Sequence, residues 1–185
     1  MKPNLPPDAN IQPQRPFGRG MQILFWLTAL AFLSFIFARW EAQQYNPNQK
    51  LNDYPLNDPQ NNAAREVTLE RNRYHHYVAS GLINNIPVTF MLDTGASAVV
   101  VPKNLANKLQ LIAGRPHIAN TANGQVQVRA THIKHLQLGP IQLYNLDASI
   151  NPGMDGDEIL LGMSALKQIE FSQKGKFLTL KQSQF

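Results

Sequence analysis

Apolar and polar positions divide the chain into unlike stretches. From Met21 to Ala38 the sequence reads MQILFWLTALAFLSFIFA, without a charge, a Pro or a Gly. A helix of that length spans roughly 27 Å, close to the hydrocarbon core of a bilayer. Its apolar residues ring the axis rather than lining one face, unlike an amphipathic surface helix. The flanks are the opposite. Met1–Gly20 is rich in Pro, Asn and Gln and has no period, so residues 1–20 are expected to be a disordered tail. Glu41–Arg65 is dense in Asn, Gln, Pro and Asp, and residues 39–66 are expected to be a flexible tether. From Val67 onward, short apolar runs alternate with turn signals at close intervals, which predicts a compact, mostly β domain over 67–185.

Within that domain the pattern predicts strands over Val67–Leu69, His76–Ile83 and Ile86–Leu92, the last two joined at Asn84-Asn85 by a tight hairpin. Pro87 stands at the start of its strand, where a missing donor is tolerated. Ala98–Val101 reads as a strand, and Pro102 opens a short helix through about Leu109. Ile118–Thr121 and Gln125–Ala130 enclose Ala122-Asn123-Gly124, a strong hairpin signal. Leu136 and Leu138 lead into the Gly139-Pro140 turn, followed by Ile141 and Leu143; Leu146, Ala148 and Ile150 then alternate. Asn151–Glu158 reads as a polar loop before the apolar Ile159-Leu160-Leu161. A helical turn is expected over Gly162–Lys167, and a last hairpin around Lys174-Gly175 joins Phe171 to Phe177–Leu180.

The apolar run near the N-terminus has two readings, an uncleaved anchor and a cleaved signal peptide. The region before it is long for a signal peptide, and Ala38-Arg39-Trp40-Glu41 is not a small-x-small cleavage site, so an anchor over 21–38 is favoured. Trp40 suits the interface. Lys2, Arg15 and Arg19 precede the span and Arg39 and Lys50 follow it, a slight bias toward a cytoplasmic N-terminus. The expected topology is therefore a single crossing with the folded domain on the extracytoplasmic side.

Composition narrows the chemistry. The 185 residues contain no Cys, which excludes disulfides, thiolate nucleophiles and Cys-based zinc sites. Net charge is +5. From Val67 onward, eleven basic residues face seven acidic ones with no Lys/Arg block, a solubility feature rather than a nucleic-acid footprint. No nucleic-acid partner is expected. His132 and His135 would point to opposite faces of a strand, and they and the His75-His76 pair read as surface histidines, so no metal site is expected.

The stretch that carries chemistry is Phe90-Met91-Leu92-Asp93-Thr94-Gly95-Ala96-Ser97-Ala98-Val99-Val100-Val101-Pro102. An apolar run ends in one acid, then Thr, Gly and small residues, then a second apolar run. Asp and Gly are depleted in strands, so the pair marks a turn between two buried strands. A carboxylate placed there is costly unless it is hydrogen-bonded or shares a proton. Asp93 is thus either the acid of an active site or a cap for its own loop. Ser97 has no His-Asp partner pattern and reads as a hydrogen-bonding turn residue.

Asp-Thr-Gly alone arises by chance in roughly a few per cent of chains this long. Its context is more specific: two buried runs flank it, Ala96-Ser97 follows, and a second apolar-apolar-Gly unit, Leu160-Leu161-Gly162, lies near the end of the domain. Together these resemble the retroviral-type (retropepsin-like, clan AA) aspartic proteases. The membrane-anchored bacterial branch is closer still, with a similar Leu-Asp-Thr-Gly-Ala-Ser, a Thr-Ala-Asn-Gly stretch and a Leu-Leu-Gly-Met-Ser unit. The resemblance covers about Val67 to Leu180. It implies an all-β fold, a small barrel with one or two short helices, and an aspartic endopeptidase that needs no cofactor. The bacterial resemblance also implies that the membrane is the inner one and the extracytoplasmic side the periplasm. Asp93 matches the catalytic aspartate. Thr94 matches the residue whose hydroxyl reaches the opposite half of the site. Gly95 matches the glycine that lets N–H groups approach the carboxylate, Ala96 follows it, and Ser97 is the neighbour that can hydrogen-bond it. Gly162 matches the glycine before the buttressing helix. Thr121, Ala122, Asn123 and Gly124 fall where the family has its substrate-covering flap, although the same turn is equally a plain hairpin. In the viral proteases an Arg or Asn commonly follows near the buttress glycine; Met163 and Ser164 stand here instead.

Peptide hydrolysis by carboxylates needs one ionised group to take a proton from water and one protonated group to polarise the carbonyl. Two like charges about 4 Å apart at an effective dielectric near 20 repel by about 4 kcal/mol, enough to keep one proton between them. Such sharing is a known property of aspartic proteases. This chain has one Asp-Thr-Gly; Asp155-Gly156-Asp157 lacks flanking strands and reads as a turn. The second carboxylate is therefore expected from a second copy in a two-fold dimer. The expected partners are a peptide or protein substrate, a second copy of the chain, and the bilayer through residues 21–38. A non-catalytic, membrane-displayed module of the same fold that binds a peptide or protein is the other class of reading.

Overall fold

The computed structural model describes residues 18–53, 65–121 and 124–182. Two compact units are resolved, Met1–Trp40 and Glu41–Phe185. The first contains most of helix α1 (Arg19–Tyr45), none of whose residues is buried. By length and composition α1 can cross a membrane.

The second unit is built from ten strands: β1 (Arg65–Glu70), β2 (Val78–Ile83), β3 (Ile86–Leu92), β4 (Val99–Pro102), β5 (Pro116–Thr121), β6 (Gly124–Leu138), β7 (Ile141–Asn151), β8 (Glu158–Leu161), β9 (Glu170–Lys174) and β10 (Phe177–Gln182). Two one-turn helices, α2 (Lys103–Ala106) and α3 (Met163–Leu166), follow β4 and β8. Seven strands form one sheet in the order β2-β3-β8-β4-β7-β6-β5, and β2 pairs again with β6, which curls the sheet back on itself. A separate sheet has the order β1-β10-β9. The all-β expectation with short helices is met.

Two parallel pairings set the site. β3 runs parallel to β8, with Phe90 opposite Ile159 and Leu92 opposite Leu161. β4 runs parallel to β7, with Val99 opposite Ala148 and Val101 opposite Ile150. Because side chains alternate along a strand, these residues share the inward face, and Phe90, Ile159, Leu161, Val99 and Val101 are buried there. Full burial of a side chain such as Phe90 contributes about 1.5–3 kcal/mol. The β2–β3 turn is as its sequence demands: Asn84 and Asn85 both take positive φ, 49° and 66°, the conformation of a two-residue hairpin that Asn tolerates. The Asn84 amide also donates to the Leu109 carbonyl at 2.8 Å, tying the turn to the end of the α2 region.

Three expectations need correction. The helix expected from Pro102 to about Leu109 is one turn long; Pro102 closes β4 and the chain leaves the helix after Ala106, reaching a left-handed Gln110 (φ 57°). The runs expected as separate short strands around 125–138 and 141–150 are two long strands, β6 and β7. Pairing in sequence with β5, β7 and β2 holds β6 extended across residues whose own pattern is broken. The tether expectation fails for its first part. Helix α1 continues to Tyr45, a 3₁₀ turn occupies Gln49–Asp53, and Asn48 bridges Ala79 of β2 between them. The Asn48 amide donates to the carbonyls of Glu70 (2.9 Å) and Val78 (2.7 Å), and its oxygen accepts from the Glu70 N–H (2.8 Å). Polar side chains that look like linker are here hydrogen-bond partners of strand backbone. The tail before residue 18 and the tether residues 54–64 lie outside the described residues.

Candidate active site

Asp93 follows directly on β3. Its N–H donates to the Leu161 carbonyl at 3.2 Å, which extends the β3–β8 ladder by one bond and fixes where the acid leaves the sheet. The loop then turns tightly: the Ala96 N–H donates to the Asp93 carbonyl (3.2 Å), and the Gly95 N–H donates to Asp93 Oδ1 (2.8 Å). A β-carbon on Gly95 would lie 3.1 Å from that same oxygen, so the missing side chain leaves the amide clear to reach the carboxylate. Asp93 is half-buried; Thr94, Gly95 and Ser97 are exposed. Among the described residues, the hydroxyls of Thr94 and Ser97 make no hydrogen bond, so one copy of the chain presents an open, polar loop.

Beneath the loop lies the segment from Leu161 to Ser164. The Met163 N–H donates to the Ala96 carbonyl at 2.8 Å. Gly162 is buried, and its α-carbon packs against the loop so closely that no side chain fits. Thus the two motifs that the sequence separates, Asp93-Thr94-Gly95 and Leu160-Leu161-Gly162, are brought together by the parallel β3–β8 pairing.

This placement of an Asp-Thr-Gly loop over an apolar-apolar-Gly strand agrees with the comparisons. A family profile described as "gag-polyprotein putative aspartyl protease" matches residues 79–168. The crystal structure of a retropepsin-like aspartic protease from Rickettsia conorii matches with a TM-score of 0.52 at 28% identity, covering 65% of this chain and 92% of that one. The domain has the retropepsin-like fold, and residues 79–168 match that family's profile. The chain is also similar to an uncharacterized protein in the cobV 5′ region of Sinorhizobium sp, 27% identical over 173 residues, which are 88% of this chain and 73% of that protein. An uncharacterized protein of Rickettsia prowazekii (strain Madrid E) is 30% identical over 117 residues, 57% of this chain; the match spans 46% of that relative's length.

The other expected site residues of the retropepsin-like domain are placed as follows. Thr121 ends β5 and Gly124 (φ 108°) begins β6; they pair across the hairpin, and the Thr121 hydroxyl donates to the Gly124 carbonyl at 2.8 Å. Ala122 and Asn123 lie outside the described residues. The histidines stay apart along β6: His132 Nδ1 is 3.7 Å from Asp147, and the His135 ring stacks on Tyr144 at 4.9 Å.

One residue of the site has no role assigned by the sequence reading. Ser164, in α3, is buried, its hydroxyl accepting from the Val99 N–H at 3.0 Å and donating to the Asp147 carbonyl at 2.7 Å. A hydroxyl inside the apolar stretch Leu160–Leu166, two residues after a buried Gly, was the available signal.

Proposed function

We propose that this chain is a membrane-anchored aspartic endopeptidase whose active site forms when two copies bring their Asp93 carboxylates together. The observation that carries the reading is the Asp93 loop itself: an acid held by β8 and α3, with its own Gly95 amide on one oxygen, on a retropepsin-like domain. One chain supplies one such acid, and hydrolysis by this chemistry needs two. In the dimer one carboxylate is ionised and takes a proton from water, while the other keeps its proton and polarises the scissile carbonyl. The water oxygen adds to that carbonyl, and collapse of the tetrahedral intermediate delivers the proton to the leaving amine. The hydroxyls of Thr94 and Ser97, without partners in one copy, become donors and acceptors for the second copy and for the carboxylates. The β5–β6 hairpin at Thr121–Gly124 covers the substrate. Helix α1, through residues 21–38, anchors the chain in the inner membrane with the domain in the periplasm. The substrate class is an extended peptide or an exposed segment of a protein.

The test is digestion of an unbiased peptide library by the full chain in detergent micelles, with Asp93→Asn as control. Cleavage by the wild type and none by the variant is the expected result. Peptide binding without cleavage by either would replace this reading with that of a binding module.

A further inference from the structure

Three contacts hold the Asp93 loop from below, and they climb it in step. Asp93 N–H meets the Leu161 carbonyl (3.2 Å), the Ala96 carbonyl meets the Met163 N–H (2.8 Å), and the Val99 N–H meets Ser164 Oγ (3.0 Å). The first two are backbone to backbone. Only the third is made by a side chain, so it is the one contact of the three that a side-chain substitution removes directly.

Ser164 does more than accept from Val99. Its hydroxyl proton goes to the Asp147 carbonyl at 2.7 Å on β7, and Asp147 directly precedes Ala148, the partner of Val99 in the parallel β4–β7 ladder. One buried hydroxyl therefore joins α3, the first residue of β4 and the β7 strand beside it. Its donor and its acceptor functions are both used, which fixes its rotamer. Val99 is where the loop that begins at Asp93 ends. Pinning Val99 to β7 and α3 fixes the far end of the stretch Asp93-Thr94-Gly95-Ala96-Ser97-Ala98, which is held at its start by Leu161 and at Ala96 by Met163.

We propose that Ser164 is a positioning residue for Asp93, setting the carboxylate through the length and tilt of that six-residue loop. The inference rests on the reading of Asp93 as the catalytic acid. It places the duty of aligning the acid on a hydroxyl that never touches substrate. Catalytic geometry is sensitive on this scale, since a shift of about 1 Å in a reacting group can cost about a hundredfold in rate.

The experiment compares wild type, Ser164→Ala and Ser164→Cys in the full chain, on a peptide that the wild type cleaves. Cys nearly matches Ser in size but is a weak donor and acceptor, so it tests the hydrogen bonds even if the Ala variant fails to fold. Both variants are expected to lower kcat about ten- to a hundredfold, with KM within about twofold of wild type. Faster hydrogen exchange at the Val99 amide should accompany the loss. A variant that melts earlier but keeps wild-type kcat while folded would overturn the inference, because Ser164 would then be structural only. If the wild type itself cleaves nothing, the endopeptidase reading fails separately. The ¹³C signal of the Asp93 carboxyl then decides: it should move in Ser164→Ala or Ser164→Cys, and an unmoved signal overturns the positioning role.

Discussion

A β-carbon on Gly162 would lie 2.1 Å from the Ala98 carbonyl oxygen, and 2.7 Å from that of Ala96. The backbone of Gly162 is extended (φ −89°, ψ −173°), so any residue can adopt its conformation, and the demand for glycine comes from space alone. The atoms in the way are backbone, and the Ala96 carbonyl is already tied to α3 by the Met163 amide. They cannot rotate aside as a side chain would. Gly162→Ala is therefore expected to cost about 3 kcal/mol, at the upper end of ordinary overpacking. Urea denaturation of the full chain reads this directly; an unchanged midpoint would mean that the loop has slack the geometry does not suggest.

Asp93→Asn separates chemistry from fold. The Gly95 N–H donates to Asp93 Oδ1 at 2.8 Å, and an Asn side chain offers a carbonyl oxygen in the same place. The turn should survive, with stability within about 1 kcal/mol of wild type. Cleavage should vanish, because an amide can neither take a proton from water nor share one. Matching thermal melts alongside a lost peptidase signal are the expected pair of results. Residual cleavage at the wild-type rate would remove Asp93 from the mechanism.

The site was legible where its signal is local and opaque where it depends on partners. Asp93-Thr94-Gly95 and Leu160-Leu161-Gly162 stand out because each interrupts an apolar run with residues a strand disfavours. Their mutual contact is not periodic and came only from the family resemblance, later matched by the parallel β3–β8 register. The hairpin at Asn84-Asn85 was readable because positive φ at both positions selects Asn. Ser164 was not, since a hydroxyl among apolar residues looks like core packing until its partners are placed. The docked residues 46–48 were hidden for a similar reason. Hydrogen bonds from Asn side chains to strand backbone leave no hydrophobic pattern, so the composition read as linker. The long β6 was hidden by its change of partners, from β5 to β2, along one strand.

Asn48 should matter to stability more than a linker residue would. Its amide satisfies the Glu70 and Val78 carbonyls and its oxygen satisfies the Glu70 N–H, so β1 and β2 are stitched through one side chain. Asn48→Ala leaves those backbone groups without their partner, at an expected cost of about 1–3 kcal/mol. Asn48→Asp keeps the acceptor but loses both donations and should fall in the same range. Denaturant midpoints of the full chain in micelles provide the measurement. By the same reasoning, a chain begun at Glu41 should outlast one begun at Arg65, and equal stabilities would show that the docking contributes nothing.

An active site shared between two copies, as proposed, predicts a mixing effect that no single-chain enzyme would give. Suppose wild-type and Asp93→Asn chains are combined in equal amounts and allowed to exchange. Random pairing makes about half the dimers mixed and about a quarter fully wild type. If both acids are required, each wild-type chain then retains about half its activity, because half of its partners are inert. Were one Asp93 enough in a shared site, mixed dimers would be active and activity per wild-type chain would rise to about one and a half times; were each copy a complete site, the inactive chains would be silent diluents and it would not change. Dilution without the variant should likewise lower the specific activity as dimers separate, and a saturating inert excess of Asp93→Asn should drive it toward zero. The two curves, one against mixing ratio and one against concentration, test the same requirement independently. A flat response in both would place the whole active site within one copy and leave the single Asp-Thr-Gly without its second carboxylate.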